Sequence, residues 1–267
     1  MLIPLDPRPA GYELRDAAQP QRFYVRLAKT WSEVEAAQRL RWRVFSDEPG
    51  ARLRTGRPGL DWDQFDDHSD HLLAFDSAQG RVVGTYRILP PQNISRLGGS
   101  YSDTEFDLSA LSHLRQKAAE IGRACIDPAW RGSTVLALMW TGLIQYARER
   151  ELAHLLGCAS VPIDDGGTYA ANLYESLRGQ LAPASLQAVP IRGLDIERLK
   201  TGEPVQAPPL IRGYLRAGAK ICGRPAVDPQ FNTADFLMLL DINALSRRYA
   251  RRFDDTLAGL GRQALAA

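Results

Sequence analysis

Glu120-Ile-Gly-Arg-Ala-Cys-Ile-Asp-Pro-Ala-Trp-Arg-Gly-Ser-Thr134, followed by an apolar-periodic run to Arg150, decides the fold. It reads as a strand over Ala119 to Ile126, a turn, and a helix over Ser133 to Arg150. Val135, Leu138, Met139, Gly142, Leu143 and Tyr146 fall on one helical face. A helix that follows a strand through a short turn points its unpaired N–H groups and positive dipole end at the strand's exit, where an anion can sit. Arg131, Gly132, Ser133 and Thr134 form that turn and could hold one phosphate. Glu120 and Arg123 put a carboxylate and a guanidinium on the strand leading to it. A carboxylate there can move a proton. The combination points to group transfer from a phosphate-bearing carrier.

Outward from this segment, strands and helices alternate. Trp31 to Glu48 is predicted helical behind a Thr30/Glu33 capping box. His71 to Asp76 and Arg81 to Leu89 are predicted strands, Pro91 to Tyr101 a loop, and Asp107 to Lys117 a helix. His154 to Ser160, Ser185 to Pro190 and Ala234 to Ile242 are predicted strands. Thr168 to Arg178, Pro208 to Ala217 and Ala244 to Leu260 are predicted helices. The fold class is therefore α/β, with a mixed central sheet flanked by helices. Residues 1–21 read as a loose arm and 22–267 as one domain, with 190–230 a Pro- and Gly-rich insertion. The 267 residues can bury a core without metals or disulfides, and the net charge of +2 gives no argument for nucleic acid. Three cysteines without metal spacing suit a reducing cytoplasm. No run of about 18 apolar residues appears.

Asp61-Trp-Asp-Gln-Phe-Asp-Asp-His-Ser-Asp70 carries five acids. Three readings compete: a solvated acidic loop, a calcium loop, and a pocket for a cationic substrate. Trp62 and Phe65 call for burial and oppose the first. The glycine and closing glutamate of an EF-hand are missing, which opposes the second. Arg87, late in its strand, is either a salt-bridging residue or an anchor for the acids or for a substrate carboxylate. Glu120 is either an ion-pair partner of Arg123 or Arg87, or a base whose apolar neighbours Ile121 and Ile126 would raise its pKa. Cys125, mid-strand and with no base at a diagnostic spacing, reads as a small core residue. His68 and His71 flank the acids and could suggest a metal site, but two histidines three apart beside a strand are more often structural or surface residues.

The order Arg41…Phe45, Asp61-x-Asp63-x-Phe-Asp66, Gly84-x-x-Arg87-Ile-Leu-Pro90 and Glu120-Ile-Gly-Arg123 resembles the acyl-homoserine-lactone synthase branch of the GNAT superfamily. Asp61 stands where that branch has glutamate, and Gly122 where it has serine. The segments Arg43-Val-Phe45, Phe65-Asp-Asp67 through His71-Leu-Leu73, Glu120 through Ile126, Arg131-Gly132 through Trp140, and Phe231-Asn-Thr-Ala-Asp-Phe236 are more similar to a sister group. That group is the hemolysin-like ornithine N-acyltransferases of ornithine-lipid synthesis, and the similarity spans about residues 22 to 254. The resemblance implies a cytoplasmic enzyme that moves a 3-hydroxyacyl chain from acyl-carrier protein to the α-amine of L-ornithine, with no resident cofactor beyond the carrier's phosphopantetheine. It implies Glu120 as general base, with Arg123 orienting it or touching the donor. Arg41 and Arg87 would hold the acid cluster, and Asp61, Asp63, Asp66 and Phe45 would serve the amine substrate. Coenzyme-A-binding members usually carry two spaced glycines in the anion loop; here Gly132 has no second, which favours a carrier protein. Rival readings are an acyl-homoserine-lactone synthase, another long-chain N-acyl-amino-acid synthase, or a non-catalytic membrane-active protein. The helix over 244–260, with an apolar stripe at Leu245, Tyr249, Phe253, Leu257 and Leu260 beside Arg247, Arg248, Arg251 and Arg252, either docks on the core or meets the acidic carrier or an anionic membrane.

Overall fold

β3 (Asp70–Asp76) and β4 (Arg81–Leu89) are almost wholly buried. Burial on both faces needs helices above and below, and these fix the layers. In the computed structural model the structure describes residues 13–15, 22–46, 56–132, 134–245 and 251. In chain order these give β1 (Leu14–Arg15), β2 (Phe23–Leu27), α1 (Trp31–Ser46), β3, β4, α2 (Pro91–Leu97), α3 (Ser102–Glu105), β5 (Phe106–Asp107) and β6 (Ala118–Ile126). Then come α4 (Val135–Glu149), β7 (His154–Pro162), α5 (Thr168–Ser176), β8 (Val189–Pro190), α6 (Ile196–Leu199), α7 (Pro209–Ala217), β9 (Lys220–Ile221), β10 (Ala226–Asp228) and β11 (Thr233–Asp241).

The main sheet runs β1-β2-β3-β4-β6-β7-β11-β10, with β9 also on β11. Neighbours are antiparallel except β6 and β7. One face carries α4 and α7 over a core of Met139, Leu143, Ile121, Phe236 and Met238. The other carries α1 over Val34, Leu40, Leu73 and Phe75. Gly84 lets α4 approach β4, since a Cβ there would lie 2.7 Å from the Met139 sulfur.

The parallel pair is short. β6 and β7 share only Ala118↔His154, Ala119↔Leu155 and Glu120↔Leu156. β7 stays bonded to β11 along its full length, and β6 stays bonded to β4 as far as Ile126. The two strands therefore part after Glu120. Gly157 sits at the fork, where a Cβ would come 2.0 Å from the Ile121 carbonyl oxygen. On its other edge β6 bulges: Thr85 faces Cys125 and Arg87 faces Gly122. Arg123 and Ala124 thus oppose Tyr86 alone, and Arg123 takes a left-handed φ of 49°.

Several elements differ from the sequence expectation. Residues 91–97 form a helix rather than a loop, because Pro91 falls at a first-turn position, where its missing N–H costs nothing, and Gly98 closes the helix left-handed. Ser109–Lys117 winds as a 3-10 helix. Of 185–190 only Val189–Pro190 pairs, against β5, and Pro190 has no N–H to extend the ladder. β2 was not anticipated, and Leu14–Arg15, within the expected loose arm, pairs with it. The 190–230 stretch contains α6, α7, β9 and β10. The capping box closes in one direction: Thr30 Oγ1 accepts from Glu33 N at 3.3 Å, while the Glu33 carboxylate takes Lys29 N and Arg26. The helix expected over 244–260 lies outside the described residues except 244, 245 and 251.

Gly157→Ala is expected to cost about 3 kcal/mol through overpacking at the fork. Gly122→Ala, where a Cβ meets nothing within 4 Å, should stay within about 0.5 kcal/mol. Chemical denaturation of both variants checks the contrast.

Candidate active site

The parted strands open a cavity of about 260 Å³. Its wall includes residues 120–124 of β6, Cys158, Ser160 and Pro162 of β7, and Thr233 and Asp235 of β11. Phe45 of α1 and Tyr101 and Ser102 beside α3 close it on one face, and Leu210 of α7 on the other. The cavity thus passes through the sheet. β6 backbone beyond the last β6–β7 rung borders it.

Arg87 and Arg123 line this wall. Asp61, Asp63 and Asp66 stand behind it. Arg41, fully buried, reaches Asp61 Oδ2 at 2.7 Å and Asp66 Oδ1 at 2.6 Å, and also donates to the Asp61 carbonyl. Arg87 Nη1 lies 2.6 Å from Asp63 Oδ1 and 3.2 Å from Asp66 Oδ2. Arg123 Nη2 lies 3.1 Å from Asp63 Oδ2, and its Nε 3.3 Å from Asp61 Oδ2. Three guanidiniums and three carboxylates balance. The Asp66 side chain is 0% exposed and is taken up by Arg41 and Arg87. Phe65 packs with Leu89 and Ile94, so the acidic segment is a folded element and not a solvated loop.

Burial opposes ionisation of Asp66, but Arg41 and then Arg87 overcome it and hold its carboxyl well below the usual range. Asp63 is lowered in the same way, burial being outweighed by Arg87 and Arg123. His71, whose Nε2 lies 3.1 Å from the Asp66 carbonyl, is pushed down to about 4, mainly by burial, despite the pull of Asp66.

Glu120 is buried and contacts neither Arg87 nor Arg123. Its Oε1 accepts Tyr101 N at 3.0 Å and its Oε2 accepts Ser102 N at 2.8 Å, so it caps α3 while facing the cavity. Each oxygen keeps a further lone pair. Phe45 packs edge-on against Phe231, and Arg123 lies against the Tyr101 and Phe231 rings at 5.0 and 4.7 Å. Cys125 is buried in the core under α1. Arg131, Gly132 and Thr134 are exposed before α4, Gly132 with φ 79°, and none of them lines the cavity. Ser133 lies outside the described residues.

Asp235 escaped the sequence reading as a site residue. It is 1% exposed and lines the cavity. Burial first, then Asp228, pushes it up to about 6, against hydrogen bonds from Ser160 and Thr233. The signal was a carboxylate between Ala234 and Phe236, at the head of the apolar run Phe236 to Leu240.

A bulged strand parting from a parallel neighbour, with a cavity in the fork and a helix N-terminus at the strand's exit, is the frame of a GNAT acyltransferase. The acetyltransferase (GNAT) domain family matches residues 40–141. The fold is that of a CoA-dependent acyl-homoserine lactone synthase, BjaI, solved with SAM and isopentyl-CoA: TM-score 0.51, 17% identity, over 85% of this chain and 83% of that one. The L-ornithine N(alpha)-acyltransferase of Agrobacterium fabrum (strain C58) is 35% identical over 84% of this chain and 82% of its own. That of Rhodobacter capsulatus is 33% identical over 92% and 100%. The chain belongs to the L-ornithine N(alpha)-acyltransferase family, and it is an acyltransferase.

Asp66→Asn should destabilise the fold by about 3 to 5 kcal/mol, because it leaves Arg41 and Arg87 underpaired in a buried place. Urea unfolding at neutral pH measures this. His71 also gives a pH test. Between pH 6.5 and about 4 the unfolded chain binds a proton that folded His71 refuses, so its contribution to stability, full above 6.5, is lost as pH falls through that window. Asp235, raised to about 6, and Glu105, raised to about 7, act with the opposite sign. The stability gap between the natural protein and His71→Gln should therefore narrow from pH 7 to pH 4.

Proposed function

We propose that the protein transfers a 3-hydroxyacyl chain from the phosphopantetheine thioester of acyl-carrier protein to the α-amine of L-ornithine, giving a lyso-ornithine lipid. The observation that carries this reading is the through-sheet cavity with guanidiniums and carboxylates in one wall. An amino acid needs a cation for its carboxylate and an acceptor for its amine. Arg87 and Arg123 take the carboxylate, and the aspartates behind them fix their planes. Glu120 accepts the proton that the α-ammonium must lose. The freed amine attacks the thioester carbonyl. N–H groups of the unpaired β6 edge stabilise the oxyanion, and the pantetheine thiol leaves with a proton. Phe45 closes the acceptor side.

The donor arm enters through the fork from the α4 face. Arg131, the left-handed Gly132 and Thr134, just ahead of α4, suit its single phosphate, and Ser133 stands between them in the sequence. One glycine in this loop supports a carrier protein over coenzyme A. Among the described residues no helix is long and apolar enough to cross a membrane. A cytoplasmic enzyme that meets the anionic membrane peripherally to deliver its amphiphilic product is consistent with this.

Incubation with one 3-hydroxyacyl-carrier protein and a panel of amino acids, read by mass spectrometry, should show an acylated ornithine. No product with any amino acid would sink the reading. Glu120→Gln should lower kcat by about 100-fold with the circular dichroism spectrum retained, and turnover close to that of the natural protein would remove the base assignment.

A further inference from the structure

The site holds two kinds of carboxylate. Those of Asp61, Asp63 and Asp66 are each matched by an arginine. Glu105, beyond the wall, meets Arg192 at 3.0 Å. Asp228 accepts the Tyr101 hydroxyl at 2.5 Å and the backbone N–H groups of Gln230 and Phe231. Of the two carboxylates in the cavity wall, Glu120 is held by two backbone N–H groups. Asp235 receives only hydroxyls: Thr233 Oγ1 at 2.9 Å, and Ser160. Among the described residues no cation stands within ion-pair distance of it. Arg123 acts on it only from beyond ion-pair range and does not offset its burial; a buried carboxylate beside an open cavity with no contacting counter-ion is costly unless a ligand brings one.

Strand register gives its place. Glu120 pairs with Leu156, the last rung before the fork, and Asp235 pairs with Ser160, four residues further along β7. At roughly 3.3 Å per residue the two levels lie about 13 Å apart along the sheet. Glu120, Cys158, Ser160 and Asp235 line one cavity, and Tyr101, Phe231 and Arg123 line it with them. The cavity therefore has a carboxylate at each of two separate levels, with guanidiniums and aromatic rings also in its lining, which suits a zwitterionic head, a methylene chain and a distal cation.

We propose that Asp235 is the specificity residue that binds the side-chain ammonium of the acceptor, so that the enzyme selects an amino acid with a second amine at the end of a short alkyl chain. This rests on the functional reading above and adds to it the group that reads the acceptor's far end. Thr233 and Ser160 hold the carboxylate toward the cavity. The burial that raises the Asp235 pKa is the cost that a bound ammonium would offset.

The test compares kcat/KM for ornithine and for norvaline, the same chain without the δ-amine, with one 3-hydroxyacyl-carrier protein. The natural enzyme should prefer ornithine strongly. Asp235→Asn, which keeps the shape and the hydroxyl contacts, should reduce kcat/KM for ornithine by about 30-fold or more and bring the ratio of the two substrates toward one, chiefly through KM. Equal losses on both substrates, or an unchanged ratio, would overturn the assignment. Asp235→Glu provides a second test should the asparagine variant fold poorly. Its longer arm should shift preference from ornithine toward 2,4-diaminobutyrate, one methylene shorter, and an unaltered preference counts against the proposal. A natural enzyme that acylates no amino acid would remove the functional reading itself, whereas ornithine acylation with an unchanged ratio in the variants would remove only the role of Asp235.

Discussion

Arg41 has no route to water, and the site is arranged around that fact. Its guanidinium sits fully buried on α1 and needs carboxylates. Asp61 and Asp66 supply them from a segment with little regular structure of its own. That segment, wrapped on Arg41, presents Asp63 and the second oxygen of Asp66 to Arg87, and Asp63 and Asp61 to Arg123. Each charge is dear to bury alone and cheap to bury in company. α1, the acidic segment, β4 and β6 are thereby held in register by one alternating lattice, and the two arginines facing the cavity are held rigidly.

The lattice changes what the acids mean. Read along the chain, five aspartates in ten residues suggest a grip on a cation. Folded, three of them serve the protein's own arginines, and the groups left facing the cavity are Arg87 and Arg123. A sequence displays charges but not which charges are spent on each other. Glu120 shows the same limit. Its place on the strand was legible, but its partners Tyr101 and Ser102 lie at and just past the end of a stretch expected to be loop, so its capping of α3 was not.

Other features were legible because they depend on local pattern. The period of 135–149 gives α4, and the apolar runs at 70–76 and 81–89 give the paired strands at the centre of the sheet. The fork was harder to see. It depends on Gly157 meeting a carbonyl on β6, a contact between residues 36 positions apart in the sequence. Asp235 was hardest, since a carboxylate between Ala234 and Phe236 has no meaning until its register against Ser160 puts it in the cavity.

On β11 cavity lining and core packing share one strand without competing. Ala234, Phe236, Met238 and Leu240 point into the core under α4 and α7. Thr233 and Asp235 point into the cavity, and Leu237 and Leu239 pack beyond it. Because successive side chains alternate between faces, the even positions face the core and the odd positions 233 and 235 face the cavity. Under the role proposed for Asp235, residues 233 and 235 can be exchanged to alter the acceptor while the even-numbered core stays untouched.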